Sequence, residues 1–245
     1  MVALAVTAGI GFAAEPTQAL SFSIPAGRTI VDLDFSGTTG DFVINGGANP
    51  ETLSLTAGVN VIRLDDGTDI GLAAGQVTLA LDLTLDAGSL ETSSGVFDTT
   101  VTADFRSAAC GNLTLFDNDA GELALAADVA GPTQLTLTEG FTGVTGTFGG
   151  ASQGGGFVVS TVNSELVDHV LPAGNLAGGL SVFRQNGSTV LTLAPLLDGG
   201  DPQGFEDFDA QPGGDLNFVP EPGAACLLGL CLVALAARPR SRQLV

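Results

Sequence analysis

The chain has 245 residues, 27 of them acidic and 7 basic, for a formal net charge of −20 without a single lysine. So negative a surface repels phosphate backbones, and it excludes nucleic acid as a ligand because binding there rests on cationic side chains. Three of the seven arginines, Arg238, Arg240 and Arg242, lie at the C-terminal end, which leaves Arg28, Arg63, Arg106 and Arg184 to the body. Cys226 and Cys231 fall in an apolar stretch near the same end, so Cys110 stands alone and reads as a small buried hydrophobe rather than a nucleophile. Without a disulfide framework the body must be held by its core, which about 200 residues can supply as one domain.

Residues 1–14 form an uncharged apolar run ending in Gly11-Phe12-Ala13-Ala14 before Glu15-Pro16. They read as a secretory signal peptide cut near Ala13 or Ala14, with the missing basic region pointing to a true start upstream. An extracellular β-domain is expected over 15–197. From Ser21 onward apolar residues recur every second position between Gly, Asn, Asp and Pro, as in half-buried strands. In Thr29–Phe35 the inward set reads as Val31, Leu33 and Phe35. Strands follow at Asp41–Asn45, Glu51–Thr56 and Val59–Leu64. The clearest is Gln76–Asp86, with Leu79, Leu81, Leu83 and Leu85 on one face and Thr78, Asp82, Thr84 and Asp86 on the other. Further strands are expected at Thr99–Arg106, Asn112–Phe116, Glu122–Val129, Thr133–Thr138 and Phe141–Phe148, and a hairpin about Asn186-Gly187.

Asn163–Leu171 reads as a helix or, nearly as well, a strand, with Ser164 as a cap. Gly149–Gly156 lacks the Lys and Ser/Thr of a phosphate loop and reads as a flexible connection. Residues 198–218 shift to Gly, Pro, Asp and Glu and read as an acidic, solvated linker. The fold class expected is therefore all-β, an antiparallel β-sandwich or jelly roll, with a β-solenoid as the alternative.

Catalytic chemistry has few candidates. The one histidine, His169, has no nucleophile motif beside it and reads as structural. Carboxylate pairs such as Asp32/Asp34 and Asp82/Asp86 are as expected of wet strand faces. Without Trp or Tyr, a lectin-like groove that stacks sugar rings is disfavoured. Asp117, Asn118, Asp119 and Glu122 place four oxygen-bearing side chains around one turn, a candidate calcium site, with Asp65, Asp66 and Asp69 a second acidic cluster. Neither follows the EF-hand spacing. No catalytic residue is assigned, and calcium is the one cofactor under consideration.

The C-terminal stretch carries the most specific signal. Val219, Pro220, Glu221 and Pro222 are followed by an uncharged apolar run at 223–237 and then by Arg238, Arg240 and Arg242. The run reads as a transmembrane helix whose basic end stays cytoplasmic, the alternatives being a tail anchor or a buried helix. In order and spacing these parts resemble the PEP-CTERM family of sorting signals. Confined to 219–245, the resemblance implies an exosortase of a Gram-negative bacterium as partner and says nothing of the body's activity; with so few His, Cys, Lys, Tyr and Trp to catalyse, the body reads as an exported, non-catalytic protein of the cell surface or matrix. Its precursor would be held in the inner membrane and its mature form associated with exopolysaccharide or biofilm. The alternative is an exported polysaccharide-acting hydrolase or lyase using carboxylates.

Overall fold

The computed structural model describes residues 19–220, apart from 49, 87, 95–98, 108–111, 131–132, 141–142, 149–155, 184–196 and 198–203. Among the described residues there are strands and no helix: β1 (Ile30–Ser36), β2 (Phe42–Asn45), β3 (Thr52–Leu64), β4 (Asp69–Gly71), β5 (Val77–Leu85), β6 (Glu91–Ser94), β7 (Thr99–Ser107), β8 (Leu113–Asp117), β9 (Glu122–Ala130), β10 (Thr133–Gly140), β11 (Gly143–Phe148), β12 (Gly156–Val162), β13 (Ala173–Phe183) and β14 (Phe208–Val219). Every pairing is antiparallel.

The ladders return on themselves. One circuit runs β3-β5-β8-β9-β12-β13-β14-β1 and back to β3; a second runs β3-β5-β7-β10-β11-β13-β14-β2 and back to β3. The long strands β3, β5, β13 and β14 belong to both, exchanging neighbours along their length; β5, for instance, pairs β8 through Val77–Leu81 and β7 through Leu83–Leu85. Closure satisfies the backbone donors and acceptors that an open edge would leave unpaired. The first and last strands of the described sheet, β1 and β14, pair with each other.

The inward faces meet in one hydrophobic cluster. Leu79, Leu81, Leu83 and Leu85 are all buried while Asp82 between them is exposed, as the alternation predicts. Strand β1 departs from its expected phase. A register shift between Ile30 and Asp32 turns Ile30 inward and leaves Val31 half-exposed, while Leu33 and Phe35 are buried as expected. The extra residue of such a bulge inverts the alternation on one side of it. The two segments expected at 51–56 and 59–64 are one strand, β3, with no break at Ala57-Gly58.

The acidic linker expected at 198–218 is corrected over its described part, 204–218. Phe208–Val219 is strand β14, hydrogen-bonded to β13 along one side and to β2 and then β1 along the other. Phe205, Ala210, Leu216 and Phe218 are buried. Phe205 stacks on Phe105 at 6.4 Å, and Phe218 meets Phe157 edge to face at 5.2 Å. Gly214, one of the glycines that suggested a linker, has a packing reason. A Cβ on Gly178 would collide with the Asp215 carbonyl, and one on Gly214 with the Gly179 carbonyl. These two strands approach so closely that only glycine fits between them. Pro212 sits where β14 leaves β2 and joins β1, and its carbonyl accepts from the Gly37 N–H at 2.9 Å.

Candidate functional site

The β8–β9 turn holds the predicted oxygen cluster. Asp117 ends β8 with its side chain fully buried. One carboxylate oxygen accepts from the backbone N–H groups of Asp119 (3.1 Å) and Ala120 (3.0 Å); the other accepts from the Ser21 N–H (2.7 Å). The Ser21 hydroxyl lies within 2.8 Å of both. An ionised carboxylate has about four lone-pair positions, and four donors occupy them. Burial pushes this carboxyl up, but the hydrogen bonds from Ala120, Ser21 and Asp119 outweigh it and hold Asp117 below its ordinary value. Asn118 turns away, donating to the Gly75 carbonyl and the Thr78 hydroxyl. The structure thus places Asp117 at the centre of a hydrogen-bonded clamp. Among the described residues, no group of three or more His, Cys, Asp or Glu side chains is placed to hold a metal.

Ser21, the partner of Asp117, lies 96 residues away in sequence, and no local pattern announces it. A second tie runs beside it, from the Leu20 N–H to the Glu165 carboxylate at 3.1 Å. Together they fasten the N-terminal segment across the β8–β9 turn. An open cleft of about 360 Å³ lies alongside, bounded by Leu20, Phe22, Ser23, Ile24, Glu165 and Leu166.

The second acidic cluster is dispersed among separate partners. Asp65 accepts from the Thr29 N–H, Asp66 pairs with Arg28 at 3.0 Å, and Asp69 pairs with Arg63 at 2.9 Å. Hydrogen bonding from Thr68 lowers the Asp66 carboxyl. Asp32 is the contrasting case, 5% exposed on the outer side of β1. One oxygen pairs with Arg63 at 3.0 Å and the other is buried without a hydrogen-bond partner. Burial and the nearby Asp215 and Asp34 charges raise its carboxyl against the pull of Arg63. Enclosed in this way, it is out of a substrate's reach.

Asn163–Leu171 is neither helix nor strand but successive turns, closed by Leu166 N–H to Asn163 O and His169 N–H to Leu166 O. Leu166 is buried and Val167 exposed. His169 has a structural task. Its Nδ1 donates to the Arg28 carbonyl at 2.7 Å, and its own carbonyl accepts from the Ile30 N–H at 2.8 Å, which fixes the start of β1. An enclosed apolar gap near Phe157 and Phe218 measures about 10 Å³, room for little more than one water.

The C-terminal motif begins where the sheet stops. Val219 is the last residue of β14, opposite Asn175, and is 41% exposed. Pro220 follows with no N–H to extend the ladder. Glu221, Pro222, the apolar run 223–237 and Arg238, Arg240 and Arg242 lie outside the described residues, as do residues 1–14, Cys110 and Asn186-Gly187. Among the described residues no helix is long and apolar enough to cross a membrane. No protein-family model, curated protein or solved structure matches this chain.

Proposed function

We propose that this is an exported, non-catalytic surface or matrix protein whose residues 219–245 are an exosortase sorting signal. One observation carries the reading: the hydrogen-bonded sheet ends at Val219, the first residue of the Val-Pro-Glu-Pro motif, and Pro220 beyond it is exposed. A processing enzyme needs an extended, accessible segment, and two prolines with fixed φ favour one. The precursor would rest in the inner membrane through 223–237 with its arginines in the cytoplasm. Cutting at or beyond the motif would free an intact sheet for the outer surface or an exopolysaccharide matrix. The body then reads as an antiparallel β-sandwich or jelly roll, consistent with its single core and closed ladders.

The alternative, a hydrolase or lyase using carboxylates, finds little support. Asp117 is engaged by four donors, Asp32 is enclosed, and His169 is committed to the backbone. The test is mass spectrometry of the mature C-terminus in cells with and without a functional exosortase, for the natural chain and for Glu221→Ala. A shortened C-terminus only with the enzyme and the intact motif is expected. An intact chain ending at Val245 in every case refutes the reading.

A further inference from the structure

Strand register assembles a surface that is dispersed in the sequence. Three adjacent strands each carry a Thr-x-Thr triplet: Thr100-Val-Thr102 on β7, Thr136-Leu-Thr138 on β10 and Thr145-Gly-Thr147 on β11. The intervening Val101 and Leu137 are buried, so the threonines face outward. The pairing places them in register as two rows. Thr102, Thr136 and Thr147 are consecutive partners in one, and Thr100, Thr138 and Thr145 in the other. The second row continues through hydroxyl residues on both sides, to Ser93 on β6 and Ser181 on β13. It thus crosses five strands without interruption.

We infer that this array is an ice-binding face. Neighbouring strands are spaced by about 4.8 Å and alternate residues along a strand by about 6.8 Å, so the six threonines present methyl and hydroxyl groups on a two-dimensional lattice. The oxygens of a prism face of hexagonal ice repeat at closely similar distances. Threonine suits such a role because its branched Cβ restricts χ1, so the hydroxyls hold their places without a large entropy cost on docking. The Thr100 and Thr138 hydroxyl oxygens are 3.5 Å apart, near enough to steady one another. Thr145 and Thr147 are exposed, and the other four are half-buried by their neighbours.

Charge supports the same occupant. On a chain of net charge −20, these six positions carry none, whereas the outer residues beyond them include Glu91 and Asp104. A charged side chain orders water around itself in a pattern foreign to the crystal, while a neutral hydroxyl can take a lattice position. Outward threonines are common because the residue suits a wet strand face. Where they serve only that purpose, nothing ties the members of neighbouring strands to one another.

The test is partition of the full chain into slowly growing ice beside a co-dissolved inert protein of similar size and charge. Several-fold enrichment of this chain in the ice fraction is expected. The double variant Thr136→Glu/Thr147→Glu is expected to fall to the level of the inert protein with its melting temperature unchanged. Thr114→Glu, a comparable change on outward β8, is expected to behave like the natural chain. Exclusion of the natural chain from ice overturns the inference, as does equal enrichment of the double variant. Exclusion from ice combined with sedimentation on a crystalline neutral glucan also overturns it and identifies the lattice ligand as carbohydrate.

Discussion

Replacing Asp117 by alanine tests whether the β8–β9 turn is a structural clamp. The substitution removes the acceptor for the Ser21, Asp119 and Ala120 N–H groups and for the Ser21 hydroxyl. A hydrogen bond to a charged group contributes about 1.5–3 kcal/mol. Ser21 and Asp119 are exposed, so their donors recover water and the four bonds do not add in full. The expected loss is about 3–5 kcal/mol, or about two such bonds, which lowers Tm by about 6–20 °C in a domain of this size. Urea denaturation of the natural chain, Asp117→Ala and Asp117→Asn reads the loss, the asparagine variant falling between the others.

The pH dependence provides a second readout. The folded-state value of Asp117 lies below its ordinary 3.8, so its contribution is complete above that value and is lost as pH falls through the lower folded one. The gap between the natural chain and Asp117→Asn should therefore be full at neutral pH and start to narrow only as pH falls below about 4. Millimolar calcium is expected to leave the midpoint unmoved, since the lone pairs are engaged. A loss under about 1 kcal/mol, the net worth of a single ordinary hydrogen bond, refutes the clamp. So does a gap that does not narrow in acid. A calcium-dependent rise that vanishes in Asp117→Asn would make the turn a cation site.

Three further outcomes follow from the fold. A chain ended after Val219 is expected to unfold cooperatively like the longer one, whereas one ended before Gly204 loses β14 with Phe205, Leu216 and Phe218; circular dichroism melts should show no transition for it. Gly178→Val sets a side chain against the Asp215 carbonyl and is expected to cost at least about 1–3 kcal/mol, read by the urea midpoint; an unchanged midpoint refutes the close approach. Arg63→Met leaves Asp32 buried without its cation. Because the folded-state carboxyl of Asp32 is raised, its ionised form opposes folding at neutral pH and protonation relieves the strain. The variant should be destabilised at pH 7 and approach the natural chain in acid; a deficit that grows in acid refutes it.

Local alternation made the strands legible wherever one face is wet and the other apolar, and Leu79 to Leu85 were readable residue by residue. It misplaced Val31 because a bulge adds a residue without any signature in composition. It missed most of β13 and all of β14 for a different reason. Glycine and proline weaken a strand in isolation, and only the partner's carbonyl a few ångströms away makes glycine necessary at 178 and 214. The oxygen-rich turn at Asp117 was visible, but its role was set by Ser21, reached through tertiary packing alone. The threonine rows are a property of register, which three separate Thr-x-Thr triplets do not disclose until the strands are paired.

The pairing of β1 with β14 has a consequence in time. Asp32 bonds opposite Asn217, so the ladder cannot close until nearly the whole body has been synthesised. Contacts between segments so distant in sequence are slow to form, because the entropy of bringing them together comes before any gain. A ribosome-bound chain thus lacks the strand that links its two ends. Completion of the sheet coincides with the arrival of residues 208–219, the last of which opens the terminal motif. The order of the sequence acts as a timer, delaying rigidity until the body has been made.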